Sequence, residues 1–202
     1  MEQFYNIFNL ISKTSILKTT EEALSYLKNI TRSIPDYPKP GIIFRDLTTI
    51  FQDKKAMALS LDLMIDILKE KDGEILEFDN LLGIEARGFI LAGALSGRIG
   101  GGVIMARKPG KLPYERISAS YKLEYGEDAL EVHVDSIKPG DKVIVVDDLL
   151  ATGGTAEAAC KLVKELGGEI VKIIFLVELP ELKGNLKLEA YNVGSVVSFK
   201  GS

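Results

Sequence analysis

Cysteine is almost absent from this 202-residue sequence, with Cys160 as its only example. A single cysteine cannot form a disulfide within the chain, which fits a protein of the reducing cytoplasm. No apolar run reaches the roughly 20 residues of a membrane-spanning helix. The first ten residues, MEQFYNIFNL, also lack the basic region and cleavage site of a secretory signal. We therefore expect a cytoplasmic protein with no membrane partner.

An excess of basic residues is also missing. Lysine and arginine number 25 against 29 acidic residues, which gives a formal net charge of -4. Proteins that bind nucleic acid through its phosphates usually present a basic face, so nucleic acid is not the expected partner. The hydrophobic fraction of 46% is instead that of an ordinary folded domain with a substantial core.

Histidine is as scarce as cysteine, and neither residue suggests catalysis. His133 alternates with Leu130, Val132 and Val134 on a predicted strand, so it faces away from their side. No acid and nucleophile accompany it in the sequence, which argues against a catalytic triad. Cys160 lies in a predicted helix with no basic neighbours to activate a thiolate, and we expect it to be a packing residue.

Helical and strand-like segments alternate along most of the chain. Residues 1–18 are expected to form an N-terminal extension with a short amphipathic helix, and residues 19–202 a single domain. Thr19 and Glu22 have the spacing of a capping box, which predicts a helix start. Continuous β-branched runs are typical of parallel strands covered on both faces, and their alternation with helices predicts an α/β fold with a mostly parallel, doubly wound sheet. Strands are expected at 81–84, 103–106, 142–147 and 170–179, and helices between them at 88–98 and 154–166.

The most informative segment is VIVVDDLLATGGT, residues 143–155. A buried strand brings Asp147 and Asp148 to the sheet edge where ligands of such folds bind. The glycine-rich loop that follows turns into a helix, whose N-terminal N–H groups attract anions. Adjacent carboxylates beside an anion site suit a ligand with both a phosphate and sugar hydroxyls, such as a ribose 5-phosphate. No Lys follows the glycines, so this is not a Walker A loop. The expected phosphate- and ribose-binding residues are Asp147, Asp148, Ala151, Thr152, Gly153, Gly154 and Thr155.

This segment matches the motif with which type I phosphoribosyltransferases bind phosphoribosyl pyrophosphate (PRPP), and VVDDLLATGGT is the wording of the adenine-specific members. The resemblance extends from about Tyr26 to the C-terminus. It implies the family's fold with a mobile hood loop, and a purine salvage reaction that converts adenine and PRPP to AMP and pyrophosphate. It also implies Mg²⁺ as cofactor, held mainly by PRPP and water rather than by protein ligands. It further implies a homodimer in which part of the segment 107–113 serves the neighbouring subunit's site.

The resemblance also assigns residues to adenine. The segment DYPKPGIIFRD, residues 36–46, is similar to the family's base-recognition segment, in which main-chain groups of Ile43 and Arg45 would read the purine edge. Adenine needs one acceptor for its 6-amino group and one donor for N1, and an extended backbone offers both. Phe44 and Leu149 would stack on the ring.

Pyrophosphate is assigned to two further segments. GIEARGF, residues 83–89, resembles the pyrophosphate-binding loop, with a strained or cis peptide bond expected between Glu85 and Ala86 and a side-chain donor from Arg87. RKPGKLP, residues 107–113, brings further cations to the same rim, and clustered cations suit a leaving pyrophosphate. These cations are Arg107, Lys108 and Lys111.

The segment SYKLEYG, residues 120–126, resembles the family's hood. Its glutamate, here Glu124, is expected to handle a proton of the purine, which makes Glu124 and Arg87 the expected catalytic residues. The long, polar stretch 107–127 is predicted to be a mobile loop that closes over the substrates.

Two alternatives compete with this hypothesis. One is a phosphoribosyltransferase for another base, such as xanthine or orotate, against which the segment PGIIFRD favours adenine. The other is a PRPP-sensing regulatory protein that binds DNA through an added winged-helix domain. The segment before Pro35 is too short and insufficiently basic for such a domain.

Overall fold

The computed structural model describes residues 19–122 and 126–200. The chain forms two compact units, Met1–Asp62 and Leu63–Ser202. The assignment of residues 1–18 to an extension and of 19–202 to a single domain stays a prediction. The helix expected within residues 1–18 lies outside the described residues.

The first unit contains short helices and a two-stranded antiparallel sheet. Thr19 caps its first helix, because the Thr19 hydroxyl accepts a hydrogen bond from the Glu22 N–H at 3.1 Å. The predicted helix start is therefore confirmed. Leu27 and Ile50 are fully buried. The elements are α1 (Thr20–Ile30), β1 (Arg32–Pro35), β2 (Ile43–Asp46), α2 (Thr48–Gln52) and α3 (Lys54–Ile67), the last of which continues past residue 62.

The second unit is built on a five-stranded parallel sheet. The remaining strands are β3 (Asn80–Ile84), β4 (Gly102–Ala106), β5 (Arg116–Lys122), β6 (Glu127–His133), β7 (Lys142–Leu150), β8 (Glu169–Glu178) and β9 (Val193–Ser198). The helices are α4 (Arg87–Ile99), α5 (Gly154–Glu165) and α6 (Gly184–Lys187). The sheet order is β4-β3-β7-β8-β9, with β5 and β6 paired separately. The predicted α/β class is confirmed, although β7 runs three residues beyond its predicted end at 147 and β9 was not predicted.

One face of this sheet packs on α5 and the β5–β6 hairpin. The fully buried side chains there include Val145 and Val163, and Phe175 is 1% exposed. Cys160 belongs to the same cluster, and burial raises the pKa of its thiol to about 12. Cys160 is fully buried in this cluster, which confirms it as a packing residue. No described helix has the length and apolar character to cross a lipid bilayer.

Part of the stretch 107–127, which is predicted to be a mobile loop, forms strand β5 and the start of β6 in the β5–β6 hairpin. Its register pairs Arg116 with His133 and continues to Lys122 opposite Glu127. In β5, Ile117, Ala119 and the buried Tyr121 alternate with polar residues, which is a strand pattern without any continuous apolar run. The mobility of the hood stays a prediction, and Glu124 lies outside the described residues.

Candidate active site

The candidate site lies at the carboxyl ends of β3 and β7, where the sheet order reverses. The chain passes from β3 outward to β4, and from β7 in the opposite direction to β8 and β9. Such a switch point is the usual ligand-binding crevice of an open α/β sheet. The β3–β7 pairing stops at Val146, whereas the β7–β8 pairing continues to Leu150. Residues 147–150 therefore extend past the end of β3 at this switch point.

The two carboxylates of this crevice lie in β7. Asp148 is 3% exposed and Asp147 is half-buried, and the Asp148 N–H donates to Asp147 Oδ1 at 2.9 Å. Burial raises the pKa of Asp147 well above its usual range, and the adjacent Asp148 charge raises it further. Burial also raises the pKa of Asp148, although the Arg87 guanidinium opposes that shift. Desolvated carboxylates of this kind are typical of functional sites.

Arg87, the first residue of α4, places its Nε 2.8 Å from Asp148 Oδ2. The contact is an ion pair without hydrogen-bond geometry, so the buried Oδ2 has no hydrogen-bond partner among residues 19–122 and 126–200. A buried acceptor of this kind suits a ligand hydroxyl or a metal-bound water. The guanidinium has five N–H donors, and this pairing occupies only the Nε face.

The loop 151–155, here called the phosphate loop, leads from β7 into α5. Gly153 is the N-cap of α5, with φ of 78°, and no side chain caps the helix. The first-turn N–H groups therefore lack a side-chain acceptor and retain the positive end of the helix dipole. Thr152 is exposed and Thr155 is half-buried, so neither residue is closed off from solvent. This arrangement suits a phosphate group.

The predicted pyrophosphate loop contains the expected cis peptide bond between Glu85 and Ala86. The Glu85 carboxylate accepts hydrogen bonds from the Lys108 N–H at 2.8 Å and from Arg107 Nε at 3.3 Å. Burial opposes ionisation of Glu85, but these bonds outweigh it and lower the pKa. Glu85 thus ties this loop to residues 107–113, here called the basic loop.

A second tie joins the basic loop to the hairpin. The Lys108 ammonium donates to the Tyr121 hydroxyl and to Asp128, and the Tyr121 hydroxyl donates to Asp128 Oδ2 at 3.1 Å. Burial lowers the pKa of Lys108, but the bonds to Asp128 and Tyr121 outweigh it and raise the pKa overall. The role of Lys108 in pyrophosphate binding stays a prediction, which requires the ammonium to exchange these partners for the ligand.

Glu131 is the third anchor of the basic loop, and the sequence did not reveal it. Its carboxylate is buried, accepts from the Gly110 N–H at 3.0 Å and pairs with Arg116 Nε at 3.0 Å. The Glu131 and Arg107 main chains also exchange hydrogen bonds of 2.9 and 2.7 Å. The only sequence signal is an acid between Leu130 and Val132. Lys111 remains exposed at the tip.

In the first unit, Ile43 and Arg45 lie on β2. Strand alternation directs their main-chain groups to the same edge of the strand. Ile43 is paired with Pro35 of β1, and a proline has no N–H that could donate a hydrogen bond to the Ile43 carbonyl. Phe44 contacts Tyr37 edge to face, with ring centroids 5.3 Å apart. The adenine roles of these residues, and of the half-buried Leu149 on β7, stay predictions.

No cluster of three His, Cys, Asp or Glu side chains suited to a metal ion occurs in the described ranges. His133 is half-buried and its ring contacts Tyr114 edge to face at 6.0 Å.

Comparisons with known proteins agree on one family. The model of the phosphoribosyl transferase domain matches residues 49–201. Over 187 residues the chain is 50% identical to an adenine phosphoribosyltransferase of Escherichia coli O157:H7, covering 92% of this chain and 100% of the relative. A crystal structure of the Thermoanaerobacter pseudethanolicus adenine phosphoribosyltransferase superposes with a TM-score of 0.81 at 45% identity, covering 90% of this chain and 100% of that one.

The Saccharomyces cerevisiae enzyme, whose structure contains an imino-altritol bisphosphate and adenine, has a TM-score of 0.82 at 36% identity, covering 88% of this chain and 99% of its own. The chain therefore belongs to the adenine phosphoribosyltransferase family.

Proposed function

We propose that this protein transfers the phosphoribosyl group of PRPP to adenine, releasing AMP and pyrophosphate in purine salvage. The observation that carries the proposal is the arrangement along β7, where the buried acid pair leads directly into an uncapped helix N-terminus. A ribose 5-phosphate offers the complementary hydroxyls and phosphate. The identity of 50% to a curated adenine phosphoribosyltransferase supports the same reaction.

The proposed division of work places ribose and its phosphate on β7 and α5. Asp147 and Asp148 accept hydrogen bonds from the ribose hydroxyls, directly or through a hydrated metal ion. The 5-phosphate receives donors from the α5 N-terminus and from the Thr152 and Thr155 hydroxyls. These groups bind parts of PRPP that do not react. They act by fixing C1 of the ribose relative to the leaving pyrophosphate and the attacking adenine.

Pyrophosphate is proposed to lie against the cationic rim. Arg87 and Lys111 donate to it, with Arg107, Lys108 and the main chain of Glu85 and Ala86 beside them. As pyrophosphate leaves, C1 becomes oxocarbenium-like and adenine N9 attacks from the opposite face. Fixed positive charge near the leaving group lowers the barrier because it stabilises the charge that develops there.

Mg²⁺ fits this arrangement as an ion carried mainly by PRPP and water. Asp148 Oδ2, which pairs with Arg87 but accepts no hydrogen bond from the described residues, would accept from a water of the ion. No three-ligand protein cluster exists among the described residues to hold the ion alone. When bound, the ion would neutralise phosphate charge and orient the pyrophosphate.

Adenine is proposed to be read by main-chain groups of Ile43 and Arg45, with Phe44 and Leu149 against its ring. The family resemblance supports these roles and that of Glu124 as the residue that handles the purine proton. The N–H and C=O groups of Ile43 and Arg45 share one strand edge, as recognition of a single purine edge requires.

A homodimer is proposed from exposed apolar side chains on one side of the sheet. Val103 and Met105, on the edge strand β4, are 42% and 49% exposed, and Ile90 on α4 is 51% exposed. An edge strand with such side chains is normally covered. A second copy of the chain would cover this edge strand.

The proposed location of the protein is the cytoplasm.

The test is an assay with PRPP, Mg²⁺ and each nucleobase in turn. Adenine should be converted to AMP, and hypoxanthine should be a poor substrate because its 6-oxo group presents an acceptor where adenine presents a donor. Sites built on such hydrogen bonds discriminate by roughly 10⁴–10⁵. Comparable kcat/KM for the two bases would overturn the adenine assignment. Failure to form a nucleotide with any base would overturn the proposed phosphoribosyl transfer.

A further inference from the structure

The phosphate loop rests on a glycine from a distant part of the chain. Gly184 is buried as the first residue of α6, a short helix after β8. A Cβ on Gly184 would overlap the carbonyl oxygen of Ala151 and would lie 2.9 Å from the Gly153 N. Real Cβ atoms essentially never approach backbone atoms so closely. No side chain larger than hydrogen fits at Gly184 unless the phosphate loop or the segment that carries Gly184 moves.

The contact is reciprocal. A Cβ on Gly153 would lie 2.5 Å from the carbonyl oxygen of Gly184. Two backbones therefore meet without side chains between them, and backbone atoms cannot swing aside as side-chain ends can. The close approach fixes where the Gly153 N–H and the start of α5 lie.

The segment that carries Gly184 is itself held on the second unit. The Leu179 N–H donates to the Leu150 carbonyl at 2.9 Å, so the chain leaves β8 bonded to the end of β7. Leu188 just after α6 is fully buried, and its N–H donates to Asn185. The segment 179–188, which carries Gly184, is thus anchored at both ends, at Leu179 beside the end of β7 and at Leu188 in the core.

We propose that Gly184 is a positioning residue for the 5-phosphate of PRPP and AMP, acting through its backbone contact with the phosphate loop. The inference rests on the proposed role of residues 151–155 in phosphate binding. It predicts that bulk at Gly184 displaces that loop and leaves the pyrophosphate and adenine groups in place.

The test is Gly184→Ala, assayed in both directions of the reaction. KM for PRPP and for AMP should rise roughly tenfold or more, because both ligands place a phosphate on the displaced loop and small misplacements are costly in preorganised sites. KM for pyrophosphate and for adenine should change less than about twofold, since neither contacts this loop. A general loss of folded protein would lower the active fraction without this split between substrates.

Gly194→Ala is the matched control. It makes the same change on β9, where a Cβ would lie 2.5 Å from the Ile67 side chain, at a position away from the phosphate loop. It should lower Tm without changing KM for PRPP or AMP. Equal KM shifts in the two variants, or an unchanged KM for AMP in Gly184→Ala, would overturn the inference.

Thr155→Val separates this inference from the proposal beneath it. If Thr155→Val leaves KM for PRPP and AMP unchanged, the phosphate-loop assignment itself fails and the role of Gly184 fails with it. If Thr155→Val raises both constants and Gly184→Ala does not, only the Gly184 role fails.

Should Gly184→Ala not fold, Leu188→Val provides a milder change beneath α6. It should raise KM for PRPP and AMP about twofold to threefold by loosening the support. Unchanged constants would then overturn the inference.

Discussion

The phosphate loop and the basic loop flank the same crevice but are held in different ways. The phosphate loop follows β7 directly and packs backbone to backbone against Gly184. The basic loop is held by three carboxylates from other elements, Glu85, Asp128 and Glu131. A backbone contact permits one geometry, whereas charged partners can be exchanged.

This difference matches what each loop is proposed to bind. The 5-phosphate stays on the ribose throughout the reaction, so a fixed cradle suits it. Pyrophosphate departs, and cations that already have carboxylate partners can return to them afterwards. Lys108, bonded to Asp128 and Tyr121, shows such an alternative partner set. Substitutions among the groups that bind ribose and its phosphate should therefore raise KM for PRPP more than substitutions around the basic loop.

The largest effect is expected at the acid pair. Asp147→Asn removes a charge that is proposed to bind ribose hydroxyls and should raise KM for PRPP roughly 10- to 100-fold, the range of about 1.5–3 kcal/mol for a lost charged hydrogen bond. The fold should persist, because the Asn oxygen can still accept from the Asp148 N–H. Asp79→Asn, at the opposite end of the sheet where Asp79 accepts from the Lys142 N–H, is the control and should leave KM unchanged. An unchanged KM for PRPP in Asp147→Asn would show that the acid pair does not bind the ribose in the proposed way.

The same variant has a distinctive pH dependence without ligand. Burial raises the pKa of Asp147 above the value of about 3.9 in the unfolded chain, so the folded state binds a proton that the unfolded state has released. Asp147 therefore lowers the stability of the ligand-free protein at pH 7, and this cost disappears as the pH falls toward about 4. Asp147→Asn should raise Tm at pH 7, and calorimetry should show the difference shrinking on acidification. A lower Tm for the variant at pH 7 would contradict the desolvation argument.

A smaller effect is expected on the basic loop. Glu131→Gln keeps an acceptor for Gly110 but loses the charge that pairs with Arg116. KM for PRPP should rise roughly fivefold, equivalent to about 1 kcal/mol, with KM for adenine unchanged. Glu77→Gln, which removes the exposed partner of Lys142, is the matched control and should have no kinetic effect. A larger effect for Glu131→Gln than for Asp147→Asn would reverse the expected order of the acid pair on β7 and the anchors of the basic loop.

The two loops also differ in how far the sequence predicted them. The phosphate loop is contiguous with its strand and helix, so local spacing indicated both the acid pair and the anion site, and the structure places them together. The class of fold followed from the same strand–helix alternation. Glu131 and Gly184 were missed because their roles depend on contacts across the fold. In sequence, Glu131 is one acid in a strand and Gly184 one glycine in a short helix.

The smallest effect concerns exposure of the basic loop to protease. Lys111 is exposed beyond Gly110, whereas Arg116 begins β5 and pairs with Glu131, so trypsin should cut the ligand-free protein after Lys111 before it cuts after Arg116. Lys108 precedes a proline and is not a trypsin site. PRPP with Mg²⁺ and an unreactive adenine analogue should slow cleavage at Lys111 roughly threefold or more, because ligand contacts compensate for the chain entropy lost on ordering the loop.

Lys71, exposed in the turn after α3, provides an internal control within the same digest. Its cleavage should not respond to ligand, and mass spectrometry of the fragments gives both rates. Equal slowing at Lys71 and Lys111 would indicate global stabilisation instead of ordering of the basic loop. No slowing at either site would show that the basic loop keeps its carboxylate partners when substrate binds. The claim that its cations exchange these partners for pyrophosphate would then fail.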